Sequence, residues 1–253
     1  MRSAIVIPAR YASTRLRAKP LLRSTGKYLI QHVYERACQS RRSRLVLVAT
    51  DDPRIVAAVQ SFGGDVVLTR DDHVSGTDRV AEVARDLEVD VIVNLQGDEP
   101  EIEPEALDLV VELLERDSEA PMATLATPIA NCDQWLDPNC VKVVCDDSGR
   151  ALYFSRSPIP HCRDGQPDFS DPSAPYLQHV GVYAYHREFL LQLAATPPGP
   201  LELSEKLEQL RVLSLGQRIR VGLLSEANAG VDSLHDYESF VRRYRRQRMT
   251  AAA

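Results

Sequence analysis

Long apolar runs are missing from this sequence: none of its 253 residues belongs to a stretch approaching the roughly eighteen apolar positions that a membrane helix requires. Met1-Arg2-Ser3 passes directly into a short apolar run, too short for the core of a secretory signal. Cysteine is scarce: Cys38, Cys132, Cys140, Cys145 and Cys162 form no C-x-x-C pair, and their odd number argues against a disulfide framework. A soluble protein in the reducing cytoplasm is the expectation. Excess positive charge is lacking too, with 36 acidic against 30 basic residues and a formal charge of -6, so a general nucleic-acid-binding surface is not suggested. Internal repeats and low-complexity tracts are absent as well.

What the chain does have is an ordered alternation of strand and helix patterns. Ala4 to Ile7, Leu45 to Ala49, Asp65 to Leu68 and Asp90 to Leu95 are apolar runs of strand length. Helical spacing marks Tyr28 to Ser40, the segment from Pro53 to Gly63-Gly64, Asp78 to Leu87 and Pro104 to Arg116. Right-handed crossovers in such a series require a mainly parallel, doubly wound α/β sheet. After it, Pro121 to Pro128, Val141 to Cys145 and Ala151 to Ser155 read as short strands, with a hairpin turn at Asp146 to Gly149, so antiparallel β additions are expected in the second half. Pro158 to Pro175 holds five prolines and reads as an irregular excursion that covers a site or touches a partner subunit. Tyr176 to Tyr185 alternates as a strand, with Val180, Val182 and Ala184 on one face and His179, Gly181, Tyr183 and Tyr185 on the other. Beyond it the pattern predicts a helix near Glu188 to Ala194, a second capped by Ser204 and running through Leu215, a strand Ile219 to Leu224, and a closing helix 233–248. The basic run Arg242 to Arg248 reads as charge favourable to that helix's C-terminus.

The loop after the first strand is built for anions. Arg10, Arg15, Arg17 and Lys19 interleave with the hydroxyls of Ser13 and Thr14 where open α/β sheets bind ligands; the plain alternative is a solvated basic turn. Asp98, within Gln96-Gly97-Asp98-Glu99-Pro100, puts a hard carboxylate at a strand end facing that loop, as a nucleotide-bound Mg2+ needs. Asp232 is equally a second ligand or the cap of the closing helix. Ser75-Gly76-Thr77 offers hydroxyls to a base edge or ribose, although most such loops are simply turns. His179, beside Tyr183, reads first as a satisfied structural histidine, and Glu208 and Gln209 as a solvated helix face.

Taken in order, Ile7 to Leu16, His73 to Arg79, Asn94 to Pro100, Ala151 to Arg156, His179 to Tyr183 and Leu207 to Arg211 strongly resemble the 3-deoxy-manno-octulosonate cytidylyltransferase, or CMP-Kdo synthetase, family. The resemblance implies a Rossmann-like nucleotidyltransferase sheet in a single domain 1–253, with 1–120 the nucleotide-binding half and 121–253 the sugar-binding and dimerisation half. It implies CMP transfer from CTP to Kdo for lipopolysaccharide synthesis, with Mg2+, in a homodimer. By position, Ala9, Arg10, Ser13, Arg15 and Lys19 match the triphosphate loop, and Ser75, Thr77 and Arg79 the cytidine side. Asp98 and Asp232 match the metal ligands, acting in catalysis with Arg15 and Lys19. Gln96, Arg156, His179, Tyr183, Glu208 and Gln209 match the acidic-sugar pocket. Related alternatives are 8-amino-Kdo or N-acetylneuraminate as the sugar, or a catalytically silent nucleotide binder. Two departures stand out: the family's Leu-Pro-Gly-Lys-Pro is here Leu16-Arg17-Ala18-Lys19-Pro20, which loses a glycine hinge, and its Thr-Gly-Val-Asp is Ala229-Gly230-Val231-Asp232.

Overall fold

In the first strand, β1 (Ser3–Ala9), every residue is buried, as a continuous apolar run demands, and the strand continues through Pro8. The computed structural model describes residues 1–12, 16–163, 165, 167–171, 173–226 and 230–251. After β1 come a single 3-10 turn (Lys19–Leu21), α1 (Leu29–Ala37), β2 (Ser43–Thr50), α2 (Pro53–Ser61), β3 (Val66–Leu68), α3 (Gly76–Ala84), β4 (Val91–Leu95) and α4 (Pro104–Arg116). The rest runs β5 (Met122–Pro128), α5 (Cys132–Leu136), β6 (Lys142–Cys145), β7 (Ala151–Ser155), β8 (Leu177–His186), α6 (Arg187–Ala195), α7 (Pro200–Glu205), α8 (Gln209–Ser214), β9 (Ile219–Leu223) and α9 (Leu234–Ala251). The fold is mixed α/β, mostly parallel with antiparallel strands added. No helix among the described residues is long and apolar enough to cross a membrane.

Two compact units share the chain, one made of 2–89, 94–108 and 228–253, the other of 1, 90–93 and 109–227. They are called the β1 unit and the β5 unit below; β4 and α4 each contribute residues to both.

In the β1 unit, β1 and β3 flank β2, all parallel, with Ala9 opposite Thr50 and Thr50 opposite Leu68. Parallel pairing sends Arg10, Asp51 and Thr69 out of the same end of these strands. Local chemistry fixes the helix starts. Asp52 accepts from the Arg54 N–H ahead of Pro53, and Ser75 and Asp78 form a reciprocal capping box, which begins α3 two residues earlier than its apolar spacing predicts. Leu29, Val231, Tyr237, Phe240 and Val241 form a buried cluster that docks α9 on α1, with His32 edge-on to Phe240 and Tyr244. The basic run of α9 is used locally: Arg243 forks onto Glu101 and Arg245 donates to the Ser24 carbonyl.

In the β5 unit, β5 pairs antiparallel with β8 and parallel with β9, while β6 pairs antiparallel with both β7 and β8. Two expectations need correction here. A register shift opposite Thr124 and Leu125 breaks the alternation of β8, so His179, Val180 and Tyr185 are all buried and the two predicted faces do not persist. Nor does Ser204 cap a helix through Leu215. It lies inside α7, and Lys206, at φ 55°, ends that helix before α8 begins. Tertiary bonding overrides a sequence with no stop signal: buried Glu202 forks with Arg211 at 2.5 and 2.7 Å, clamping α7 to α8. The short helix α5, capped by Asn131, falls between the predicted strands and was not expected. The excursion 158–175 carries no regular element among its described residues, and Trp135, Phe169 and Tyr176 cluster along it with ring centroids 5.5–6.5 Å apart.

Candidate active site

The strongest convergence in the β1 unit draws on three distant parts of the chain. Lys19 Nζ donates to Asp98 Oδ2 at 2.7 Å, to the Val231 carbonyl at 2.8 Å and to Asp232 Oδ1 at 3.5 Å. The Val231 N–H in turn donates to the Asp98 carbonyl at 2.8 Å, so the backbone itself ties the second carboxylate's segment to the first. A Cβ at Gly97 would lie 3.0 Å from the Pro8 carbonyl oxygen, so only glycine lets the β4 loop pass this close to the end of β1. Ser233 and Asp236 cap α9 reciprocally, which removes capping as the reason for Asp232. Lys19 enters this cluster directly after Ala18, which sits in the left-handed region at φ 54°, ψ 27°.

Asp98 and Asp232 are two hard oxygen donors within reach of one cationic atom, and that donor set fits Mg2+, which combines one or two carboxylates with phosphate oxygens and water. Among the described residues no group of three or more His, Cys, Asp or Glu is disposed to hold a metal by itself. Glu99, overlooked in the sequence, completes an acidic cluster: burial first, then Asp98 and Asp232, push its carboxyl up to about 8. Its sequence signal was its place beside Asp98.

Nearby in the same unit, Arg10 donates to the carbonyls of His73 and Val74, joining the β1 loop to the loop before α3. His73 pairs with Glu82 beneath it, another partnership the sequence did not reveal. Ser75 spends its hydroxyl on the cap of α3, while the Gln96 amide donates to the buried Asn94 side chain, whose own amide donates to the Thr77 hydroxyl. Arg10, Tyr11, Asp51, Arg54, His73 and Arg79 line a cavity of about 260 Å³. Arg79 is 1% exposed and ion-paired with Asp51 at 3.1 Å; burial holds its guanidinium below the usual range. Its Nε has no hydrogen-bond partner. Ala9 is the last, buried residue of β1. Ser13 and Arg15 lie outside the described residues.

The β5 unit gathers the remaining predicted residues. The Thr124 hydroxyl donates to the Val182 carbonyl at 2.8 Å and lies 2.9 Å from His179 Nε2. With the Thr124 proton used at Val182, His179 donates from Nε2 and keeps Nδ1 as an acceptor. Burial pushes His179 down to about 3, so the ring is neutral. The Tyr183 ring lies 5.4 Å from it, tilted by 37°, and burial followed by Glu208 pushes the Tyr183 hydroxyl up. Gln209 is buried and its Nε2 has no hydrogen-bond partner, an orphaned donor of the kind a bound ligand satisfies. Arg156 donates to the carbonyls of Glu205 and Pro138, while buried Lys142 donates to those of Asp137, Cys140 and Arg156.

The cytidylyltransferase family model matches residues 4–219. A protein of Rhodopirellula baltica called 3-deoxy-manno-octulosonate cytidylyltransferase is 49% identical over 250 residues, 98% of this chain and all of that one. The protein of the same description from Syntrophotalea carbinolica is 50% identical over 234 residues, covering 91% and 94%. Among solved structures, a CMP:2-keto-3-deoxy-manno-octonic acid synthetase complexed with CTP superposes with a TM-score of 0.91 at 44% identity, covering 98% of this chain and 100% of that one. A Bacillus anthracis protein assigned by description alone as a glucose-1-phosphate thymidylyltransferase, at 15% identity and a TM-score of 0.67, shares the fold.

Proposed function

The chain belongs to the 3-deoxy-manno-octulosonate cytidylyltransferase family, and from that membership we propose that it transfers CMP from CTP to the anomeric hydroxyl of Kdo, releasing pyrophosphate and forming CMP-Kdo for lipopolysaccharide synthesis. The convergence of Lys19, Asp98 and Asp232 carries this reading. Residues of the β1 unit serve the nucleotide: Ala9, Arg10 and Lys19, with Ser13 and Arg15, hold the triphosphate, and Ser75, Thr77 and Arg79 the cytidine side. Arg79 does so from within, by holding Asp51 and the loop at Thr69 and Arg70 around the cavity. Gln96, Arg156, His179, Tyr183, Glu208 and Gln209 serve the acidic sugar. A neutral His179 binds as a hydrogen-bonding group, not as a countercharge to the sugar carboxylate, and Gln209 supplies its unsatisfied donor.

In the reaction the anomeric hydroxyl gives up its proton to solvent as its oxygen bonds to the α-phosphorus, and the bridge to the β-phosphate breaks, so negative charge gathers on the leaving pyrophosphate. Lys19 and Arg15 offset that charge, and the carboxylates and amides fix the two substrates in line. Mg2+ held by Asp98 and Asp232 would polarise a phosphate oxygen and lower the pKa of a bound hydroxyl. The five free thiols suit a cytoplasmic enzyme. Exposed Leu136 and Leu152 suit a homodimer joined through second-half elements, to be checked as twice the chain mass in solution.

Pyrophosphate release from CTP should occur with Kdo, and exceed that with 8-amino-Kdo or N-acetylneuraminate. Release with none of the three would overturn the reading. Asp98→Asn should lower turnover by about 100-fold or more with an unchanged unfolding midpoint; near-normal turnover in that variant would remove Asp98 from the mechanism.

A further inference from the structure

Lys19 lies where a cation belongs. An ammonium has three N–H donors and no acceptor, and all three find oxygen here: the Asp98 carboxylate, the Val231 carbonyl and, more distantly, the Asp232 carboxylate. The side chain is only 13% exposed, so the charge is largely withdrawn from water. Without it, Asp98 and Asp232, both within reach of the same nitrogen, would lose this shared counter-charge, and two carboxylates this close repel strongly in a partly dry site. A divalent cation bound to Asp98 and Asp232 would need the very oxygens that Lys19 engages, and the two positive charges would repel one another.

We infer that the Lys19 ammonium is the site's own counter-ion, which holds Asp98 and Asp232 together in the nucleotide-free protein and must leave them for a divalent cation to bind. This rests on the reading of those two carboxylates as the metal ligands. The chain around Lys19 suits the exchange. Its backbone is anchored, with Leu21 N–H bonded to the Ala18 carbonyl at 2.9 Å, Leu22 N–H bonded to the Lys19 carbonyl at 3.2 Å, and Pro20 buried beside it. Only the four-carbon stem has to move. The destination is the triphosphate, whose arrival offers the ammonium a stronger partner than either carboxylate. Cation entry is thereby coupled to nucleotide arrival: each makes the other's binding more favourable, because the nucleotide takes the ammonium that otherwise competes for the carboxylates. A lysine serves this exchange better than an arginine, being a compact point charge on a flexible stem.

The test measures Mn2+ binding to the nucleotide-free full chain by the paramagnetic resonance signal of the free ion. Lys19→Met should bind Mn2+ about tenfold or more tightly than the wild type. Lys19→Arg should not gain, and the gain of Lys19→Met should vanish in a Lys19→Met/Asp98→Asn double variant. Equal or weaker binding by folded Lys19→Met overturns the proposal, since a purely structural lysine would leave the carboxylates less well ordered once removed. A gain that survives Asp98→Asn also overturns it, by placing the ion elsewhere. In either case, retained pyrophosphate release by the wild type leaves the transferase reading standing. A second measurement needs no variant: saturating Mg2+ should raise the rate of reductive dimethylation at Lys19 severalfold relative to Lys27 and Lys206, followed by mass spectrometry. An unchanged or slower rate at Lys19 overturns the proposal even if Lys19→Met fails to fold.

Discussion

Ala18 holds a conformation that side chains resist, and the family's usual residue at that place is glycine. At φ 54° its Cβ crowds the following carbonyl, a cost of roughly 1–2 kcal/mol that glycine escapes, partly offset by glycine's greater freedom in the unfolded chain. Ala18→Gly should therefore stabilise the protein by about 0.5–1 kcal/mol, seen as a rise of about 1–3 °C in Tm. A fall in Tm would mean that the left-handed turn is not strained. Arg79 poses a different question, because the resemblance assigns it to the nucleotide while its charge is buried against Asp51. Arg79→Met leaves that carboxylate without its partner and should cost about 3–5 kcal/mol in urea unfolding, beyond any rise in the KM for CTP. Wild-type stability with a raised KM would instead make Arg79 a direct nucleotide contact.

Helix α3 shows the same overlap of structure and function at the scale of an element. Its cap is the Ser75–Asp78 box, and Ser75 is also a candidate nucleoside contact. Ser75→Ala should lose about 1 kcal/mol of stability from the cap, whereas Ser75→Asp should keep the cap and still impair CTP binding by repelling the phosphates. Calorimetric Tm and a CTP binding isotherm on both variants separate the two roles, and tight CTP binding by Ser75→Asp would exclude a nucleotide contact. Elements of this kind were the legible ones. Asp52-Pro53 announced α2 and the apolar spacing placed α4 at Pro104–Arg116, because caps and periodicity are local. The break between α7 and α8 was not legible, because the Glu202–Arg211 pair that enforces it joins residues whose sequence favours one continuous helix. The shifted register of β8 likewise depends on Thr124, far away in sequence, and no pattern within Tyr176 to Tyr185 records it. Among the candidate site residues, Arg10, Lys19 and Asp98 were singled out by type and position, and the fold gathers Lys19 with Asp98. Asn94, Glu99 and the His73–Glu82 pair were not, since their significance comes from what surrounds them.

Across the whole molecule, two buried neutral histidines set a dependence on pH. Burial holds His32 at about 4 and His179 at about 3, both below the ordinary value of 6.5. The unfolded chain therefore binds more protons in this range. The stabilisation is fully present above about pH 6.5 and is lost as pH falls toward the two folded values, about 2 kcal/mol for each histidine between pH 7.5 and 5. Glu99, raised to about 8, acts in the opposite sense, so the histidine contribution is read by difference. Wild-type stability in urea should fall more steeply from pH 7.5 to 5 than that of a His32→Gln/His179→Gln variant, and parallel profiles would show that neither ring is held neutral. The division of the chain has its own consequence for how the protein comes into being. The β1 unit begins with residues 2–89 but is completed only by 228–253, after the bulk of the β5 unit has been made. During translation, then, Lys19 and Asp98 leave the ribosome long before Asp232 and the α9 side chains that cover Leu29. A nascent or prematurely terminated chain carries only one of the two carboxylates proposed to hold the metal and an uncovered apolar face, so the Lys19 cluster is complete only when synthesis has passed beyond the β5 unit, and incomplete forms present a surface that chaperones and proteases can recognise.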